Sequence, residues 1–253
     1  MVKIFTVTHI ENPILTNDIF IPIQVGPNDN ITKNILRDNT LDNIADKNKN
    51  YCELTASYWI WKNITDAEYL GICHYRRYFN FFNPFYNFKP SAQKKISVQD
   101  FKKTKMYNSS SEVIKTKIQS ILSKHDIILC KPYKFKQSLT NNYCSDHRKE
   151  DWDLTKQIII EKYPEYKNSI SIYLDHGNLF HIGNMMICSK KTWDDYYTWL
   201  FSILFELESK ITIPQDNYQA RVFGFISERL ISLYVYHNKL KIKKIPTYKI
   251  IDL

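Results

Sequence analysis

The segment YLGICHYRRYF, residues 69–79, constrains the fold of this chain more than any other. Its apolar run reads as a buried strand, and it ends abruptly in His74, Tyr75, Arg76 and Arg77. In open α/β sheets, ligands bind beyond the carboxyl ends of the strands, so a polar strand tip is a candidate site. Arginine grips phosphate oxygens through a planar fork of donors, and histidine can donate a hydrogen bond or a proton near neutrality. Such a tip could neutralise a departing diphosphate. The residues alone leave a metal, a phosphate, a nucleic acid or a solvated edge open. Successive side chains alternate across a strand, so at most one of the two arginines need face a cleft.

Around this strand the chain alternates strand-like and helix-like segments, which predicts an α/β fold. VKIFTVTHI is a first strand, followed by a loop with Asn12 and Pro13, and DIFIPIQVG is a second extended segment closing at Gly26. DNTLDNIADKNKNY reads as a turn-rich loop, and CELTASYWIWKNI as a helix with Leu54, Tyr58 and Trp61 on one stripe. Residues 80–111, with Pro84 and Pro90, read as an irregular insertion. A helix capped at Ser111 and the strand DIILCKP follow. Residues 142–164 open as a loop and turn helical around Asp151; GNLFHIGNMMICSKK suggests a strand pair. Two long helices and a final strand, KIKKIPTYKI, complete the reading. No repeat or composition break divides the 253 residues, so one domain spanning 1–253 is the economical expectation.

The formal charge of +9 favours anionic partners, yet the lysine-rich stretches at 102–105, 131–136 and 239–244 lack the dense arginine runs of a nucleic-acid arm. With 18 Tyr, 14 Phe and 5 Trp, the chain has many flat apolar faces that suit sugars or bases, or that simply fill a core. Five widely spaced cysteines without a C-x-x-C pair fit a reducing compartment rather than a disulfide framework. The first residues carry no leader pattern and no apolar run nears the roughly 20 residues of a membrane span, so a cytoplasmic location is expected.

Several familiar chemistries lack their fingerprints. There is no phosphate-binding glycine loop, no dinucleotide fingerprint, no H-e-x-x-H helix and no G-x-S-x-G elbow. The one Asp-x-Asp string, at Asp151 and Asp153, opens a helix instead of ending an apolar strand, where its first job is to complement the helix dipole. A divalent metal is therefore possible but has no strand-end motif to hold it. In DHGNLFHIGNMMI, Asp175, His181 and Asn184 could serve a base or an acceptor, or could close turns. Arg221 and Glu228, seven positions apart, share one helix face; a buried structural pair is favoured over direct catalysis.

Four blocks, NYCELTASYWIWKN, EYLGICHYRRYF, GNMMICSKKTWDDYYTWLFSILFELE and RVFGFISERL, resemble in this order the signature blocks of a bacterial domain family. That family comes from capsule, exopolysaccharide and O-antigen gene clusters, was long of unknown function, and is linked to galactofuranosyl transfer. The chain departs from it at Ala56-Ser57, where a glycine is common, and at Met186-Ile187-Cys188, which replace a Phe-Ile-Met run. The polar positions are intact.

The resemblance implies a GT-A-like, Rossmann-like α/β glycosyltransferase with a central, mostly parallel sheet flanked by helices. It implies a UDP-sugar donor, UDP-galactofuranose first among them, a lipid-linked or oligosaccharide acceptor, and inversion if the product is a β-galactofuranoside. Carried onto this chain, it sets His74, Tyr75, Arg76 and Arg77 beside the sugar nucleotide, with Arg76, Arg77 and His74 stabilising the diphosphate. The GT-A layout assigns Thr8, His9, Gly26, Asp42, Asn43 and Asn184 to the nucleotide, with Glu53 orienting that loop or capping a helix. Asp175 and Asp151 are the candidate bases. His147, Tyr78 and His181 are expected on the acceptor side, with Phe81, Phe82, Phe85 and Tyr86 shaping the acceptor cleft or touching an anionic membrane face. The alternatives are a UDP-hexopyranose transferase of the same pathway, a catalytically idle scaffold, or a nucleic-acid module, although no nucleic acid is expected.

Overall fold

A computed structural model describes residues 1–9, 14–26, 35–82 and 93–253. Asn12, Pro13, Pro84, Phe85, Tyr86 and Pro90 lie outside them. The strands are β1 (Val2–Thr8), β2 (Phe20–Gln24), β3 (Leu36–Arg37), β4 (Tyr69–His74), β5 (Arg77–Phe79), β6 (Gln93–Ile96), β7 (Ile127–Cys130), β8 (Tyr133–Lys134), β9 (Leu179–Phe180), β10 (Met186–Ser189), β11 (Ile242–Ile245) and β12 (Thr247–Ile250). The helices are α1 (Asn48–Tyr51), α2 (Leu54–Asn63), α3 (Val98–Lys102), α4 (Lys105–Asn108), α5 (Ser111–Leu122), α6 (Leu139–Asp146), α7 (Lys149–Lys162), α8 (Lys167–Ser169), α9 (Lys190–Lys210) and α10 (Val222–His237).

The main sheet runs β11-β7-β10-β4-β1-β2-β3. It is parallel except for β10, which lies antiparallel between β4 and β7. Helices cover both faces, giving the mostly parallel α/β sheet expected from the alternating pattern. Strand β4 sits at its centre, and Leu70, Ile72 and Cys73 are fully buried there. Gly71 is the one place in β4 where a side chain does not fit. A Cβ there would come within 2.8 Å of Ile187 and 3.2 Å of Ile4, the register partners on either side. Gly71→Val should therefore overpack the centre and lower stability by about 1–3 kcal/mol, read as a lower urea midpoint at unchanged slope.

Beyond β4 the chain turns at Tyr75-Arg76 and returns as β5, so His74 pairs with Arg77 across a tight hairpin. Strand β5 then pairs with β12, and β12 with β6, forming a small three-stranded annex on the edge of the cleft.

Several local expectations are corrected. The 80–111 insertion holds β6, α3 and α4; β6 finds its partner only in β12 near the chain's end, while Ser97 and Thr104 cap the two short helices through Asp100 N–H and Tyr107 N–H. Residues 45–51 are helical because Tyr51, completely buried, stacks on Phe223 at 4.3 Å. The cap of α5 is Ser110, which receives Val113 N–H, and the loop before Asp151 is α6. Strands β9 and β10 form no hairpin: β9 pairs with β8, and β10 with β4 and β7. The last strand is two strands, parted by Pro246, and the first of the two belongs to the main sheet. On α2, Leu54 is buried as expected, whereas Tyr58 and Trp61 are half-buried against Phe201 of α9.

Candidate active site

A cavity of about 700 Å³ opens where β1 and β4 end, walled by α1, the start of α2, the β4–β5 hairpin, the turn before β10 and the first half of α10. Four cations, Lys49, Arg76, Arg77 and Arg221, and two carboxylates, Glu53 and Glu228, line it. The wall charges thus favour an anionic ligand.

The hairpin tip is fixed in this cavity by a turn in which two residues adopt left-handed backbone, Gly183 (φ +88°) and Asn184 (φ +48°). His74 Nε2 lies 2.6 Å from the Gly183 carbonyl oxygen. A carbonyl only accepts, so the histidine carries its proton on Nε2 and donates it. Burial chiefly, and the guanidinium groups of Arg77 and Arg76, keep His74 below its ordinary pKa against the pull of Glu53, so it is neutral at pH 7. It therefore latches the tip and adds no charge. The Gly183 N–H donates to Glu228 Oε1 at 2.6 Å, and Asn184 Nδ2 donates to Glu53 Oε1 at 2.7 Å. One turn thus ties the strand tip to both cavity carboxylates.

Burial first, and the nearby negative charge of Glu53 second, push the Glu228 carboxyl up to about 7. Arg76 is exposed and lies over the Tyr75 ring at 4.9 Å, while the Tyr75 hydroxyl and His9 Nε2 share a hydrogen bond of 3.1 Å. Arg77 is half-buried, and its Nε is buried with no hydrogen-bond partner among the described residues. Both arginines line the cavity, because the hairpin turn breaks the strand alternation that would have sent one of them away.

Of the expected nucleotide residues, His9, Glu53 and Tyr75 line the cavity. Asn184 is buried behind it on Glu53. Gly26 also stands just behind the wall, where a Cβ would meet Asn48 at 3.2 Å. Thr8 is fully buried in the sheet and does not line the cavity. Asp42 and Asn43 sit on an exposed turn, where Asp42 accepts from the Tyr58 hydroxyl and Asn43 Oδ1 from Ala45 N–H; they serve the helix that follows.

The candidate bases are displaced as well. Asp151 is buried on α7 beside Arg148, and Asp175 is held by Thr140 at 2.7 Å and Lys156 at 3.1 Å; neither lines the cavity. Among the acceptor-side expectations, Tyr78 is a completely buried core residue stacked on Phe101, and Phe81 is buried beside Phe79. Phe82 is half-buried, with Lys105 over its ring at 5.5 Å. His181 is buried, donating from Nδ1 to the Cys130 carbonyl at 2.6 Å. His147 donates from Nδ1 to Gln219 Oε1 at 3.1 Å and stacks at 4.2 Å on the back of Phe225, whose ring reaches the cavity.

Arg221 and Glu228 are not a buried structural pair. Both line the cavity; Arg221 Nε donates to Cys52 Sγ at 3.2 Å, and Glu228 binds the Gly183 amide. Asn48, Lys49, Cys52, Gly183, Tyr218 and Phe225 were missed as site residues. Glu228 is the one acidic residue in RVFGFISERLISLYVYH, and that was the available signal for it. Among the described residues no group of three or more His, Cys, Asp or Glu side chains is placed to hold a metal ion, and no helix is long and apolar enough to cross a membrane.

The chain belongs to the DUF4422 family, a domain of unknown function, whose sequence pattern matches residues 3–239. This is the domain family that the four sequence blocks resemble. Among solved structures it is similar to the WbbM bifunctional glycosyltransferase in its apo form, with a TM-score of 0.85 and 30% identity over 99% of this chain. The chain spans 45% of that protein's length. No curated protein matches it.

Proposed function

We propose that the protein is an inverting glycosyltransferase that moves galactofuranose from its UDP-linked form to a hydroxyl of a growing cell-surface polysaccharide. The observation that carries this reading is the cleft itself. It joins two arginines at a central strand tip to a carboxyl group titrating near neutrality, in a chain that superposes along nearly its whole length on a bifunctional glycosyltransferase.

The transfer is a single displacement. The acceptor oxygen loses its proton to Glu228 and bonds to the anomeric carbon as the bond from that carbon to the diphosphate oxygen breaks, and the electron pair leaves with the phosphate. A base works best with a pKa near the working pH, which suits Glu228 better than an exposed carboxylate. Arg77 and Arg76 stabilise the charge that develops on the diphosphate. His74 and the Gly183-Asn184 turn hold base and arginines in one frame. Tyr218, 54% exposed at the cavity wall and backed by Phe225 at 4.9 Å, offers a flat face for a base or a sugar ring.

The test is UDP release by the purified protein from a panel of UDP-sugars, with and without chelator, in the presence of acceptor oligosaccharides. UDP-galactofuranose should be turned over fastest. Faster use of UDP-galactopyranose would overturn the donor assignment, and no thermal protection by UDP in any condition would overturn the transferase reading.

A further inference from the structure

The annex sheet extends the cavity's Arg77 into a row of cations, two of which, Lys249 and Lys95, the donor site does not use. Register places Arg77 of β5 opposite Lys249 of β12, and Lys249 opposite Lys95 of β6. Directly opposed residues on adjacent strands project from the same face, so three cations stand in a row about 10 Å long, one per strand spacing of ~4.8 Å. Like charges so placed repel each other, which destabilises a sheet. No carboxylate among the described residues forms an ion pair with any of the three. Two acids beside the annex strands already have partners: Asp100 accepts from Lys103 at 3.2 Å, and Asp252 accepts the Val98 N–H at 2.8 Å. Burial, and then the charges of Arg77, Lys95 and Arg76, hold the Lys249 ammonium below its ordinary pKa, which places these four groups in one another's field.

The row also has a concave surface at each end. Arg77 lines the donor cavity, and Lys95 lines a second hollow of about 540 Å³ whose other charged residues are Lys94 and the ion pair of Lys103 with Asp100. A flat bilayer could not enter both, whereas an extended flexible chain with repeating negative charge could lie along the row.

We propose that the Arg77–Lys249–Lys95 row is an acceptor subsite for an acidic glycan strand, which runs from the cleft across the annex sheet into the second hollow. The acceptor class is then a polysaccharide with anionic groups recurring along it. This rests on the transferase reading for its biological use, but binding can be measured without turnover.

The experiment is fluorescence anisotropy of the full chain with labelled hexagalacturonate at low salt, with maltohexaose, hexauridylate and anionic vesicles as competitors and UDP protection read in parallel. Wild type should bind hexagalacturonate in preference to all three competitors. Lys95→Gln/Lys249→Gln should bind it about tenfold more weakly at a Tm equal to or above that of the wild type, because the row's mutual repulsion is relieved. Lys117→Gln/Lys124→Gln, which removes the same charge from exposed positions on and just after α5, should not. The proposal fails if the row variant binds like wild type, if the control variant loses as much, or if maltohexaose, hexauridylate or vesicles compete as well as unlabelled hexagalacturonate. Row-dependent glycan binding without UDP protection would retire the transferase reading alone.

Discussion

Glu228→Gln is expected to cut transfer by about 10²–10⁴-fold while making the protein more stable at pH 8. The two effects share one cause. In the folded protein the carboxyl is pushed up to about 7 from its ordinary 4.5, because burial and the neighbouring Glu53 both oppose its charge. Between those two values the folded state binds more protons than the unfolded chain, so this group's contribution weakens as pH rises through that window and is least favourable above it. Glutamine is neutral throughout and its side-chain oxygen still accepts the Gly183 N–H, so it removes the cost of the buried charge and keeps the latch. The variant's Tm advantage should therefore be present at pH 8, on the scale of a few °C, and disappear near pH 5, where the wild-type carboxyl is protonated too. In the wild type, kcat/KM should rise with pH through about 7. Differential scanning calorimetry at the two pH values and initial rates across the range check both. A variant that turns over normally, or one with no pH-dependent gain in Tm, would remove Glu228 from the base role.

Arg77→Ala should lower kcat/KM by about 10²–10³-fold, the loss typical of removing a group aimed at developing charge. Arg77 is half-buried with its Nε unpartnered, whereas Arg76 is exposed and rests on the Tyr75 ring, so the larger loss is expected at Arg77. Arg77→Lys should recover only part of the activity, since a point charge cannot present two parallel donors to a phosphate. Folding should survive, because the β5 ladder runs through the backbone and the lost cation was repelled by Lys249. Steady-state rates of Arg77→Ala, Arg77→Lys and Arg76→Ala beside their melting curves provide the comparison, and near-normal turnover by Arg77→Ala would sink the assignment.

How much of this was legible in the sequence follows from how far apart the interacting residues lie. The β4 strand, its polar tip and the long helices α9 and α10 are carried by local patterns, and they stand where those patterns put them. The annex sheet was not legible, because the partner of β6 and β5 is a strand more than a hundred residues away that reads locally as the tail of β11. The same distance hid Glu228, the proposed base. Glu228 acquires its character from burial first and from Glu53 second, and the turn at Gly183 holds it, three segments that only the folded chain brings together. Asp151 and Asp175 drew notice because acidic residues in polar stretches stand out, yet that polarity marks residues paired with nearby lysine and arginine. The stripe on α2 is as expected, with Leu54 inside the core and Tyr58 and Trp61 half-buried at its edge against Phe201 of α9.

Pro246 is the single residue between β11 in the main sheet and β12 in the annex, and its carbonyl receives the Asn80 N–H at 2.8 Å. Strand β12 in turn pairs with the strand that carries Arg77. As the chain leaves the ribosome, His74 and both arginines therefore emerge long before the strand that fixes Arg77 in the cleft has been made. The sheet's centre can assemble early around β1 and β4, but the cationic wall stays unfinished until residues 247–250 arrive. A nascent chain could thus have a largely folded sheet and still lack the strand that holds Arg77 in place, so this wall of the cavity forms only after residues 247–250 have been made.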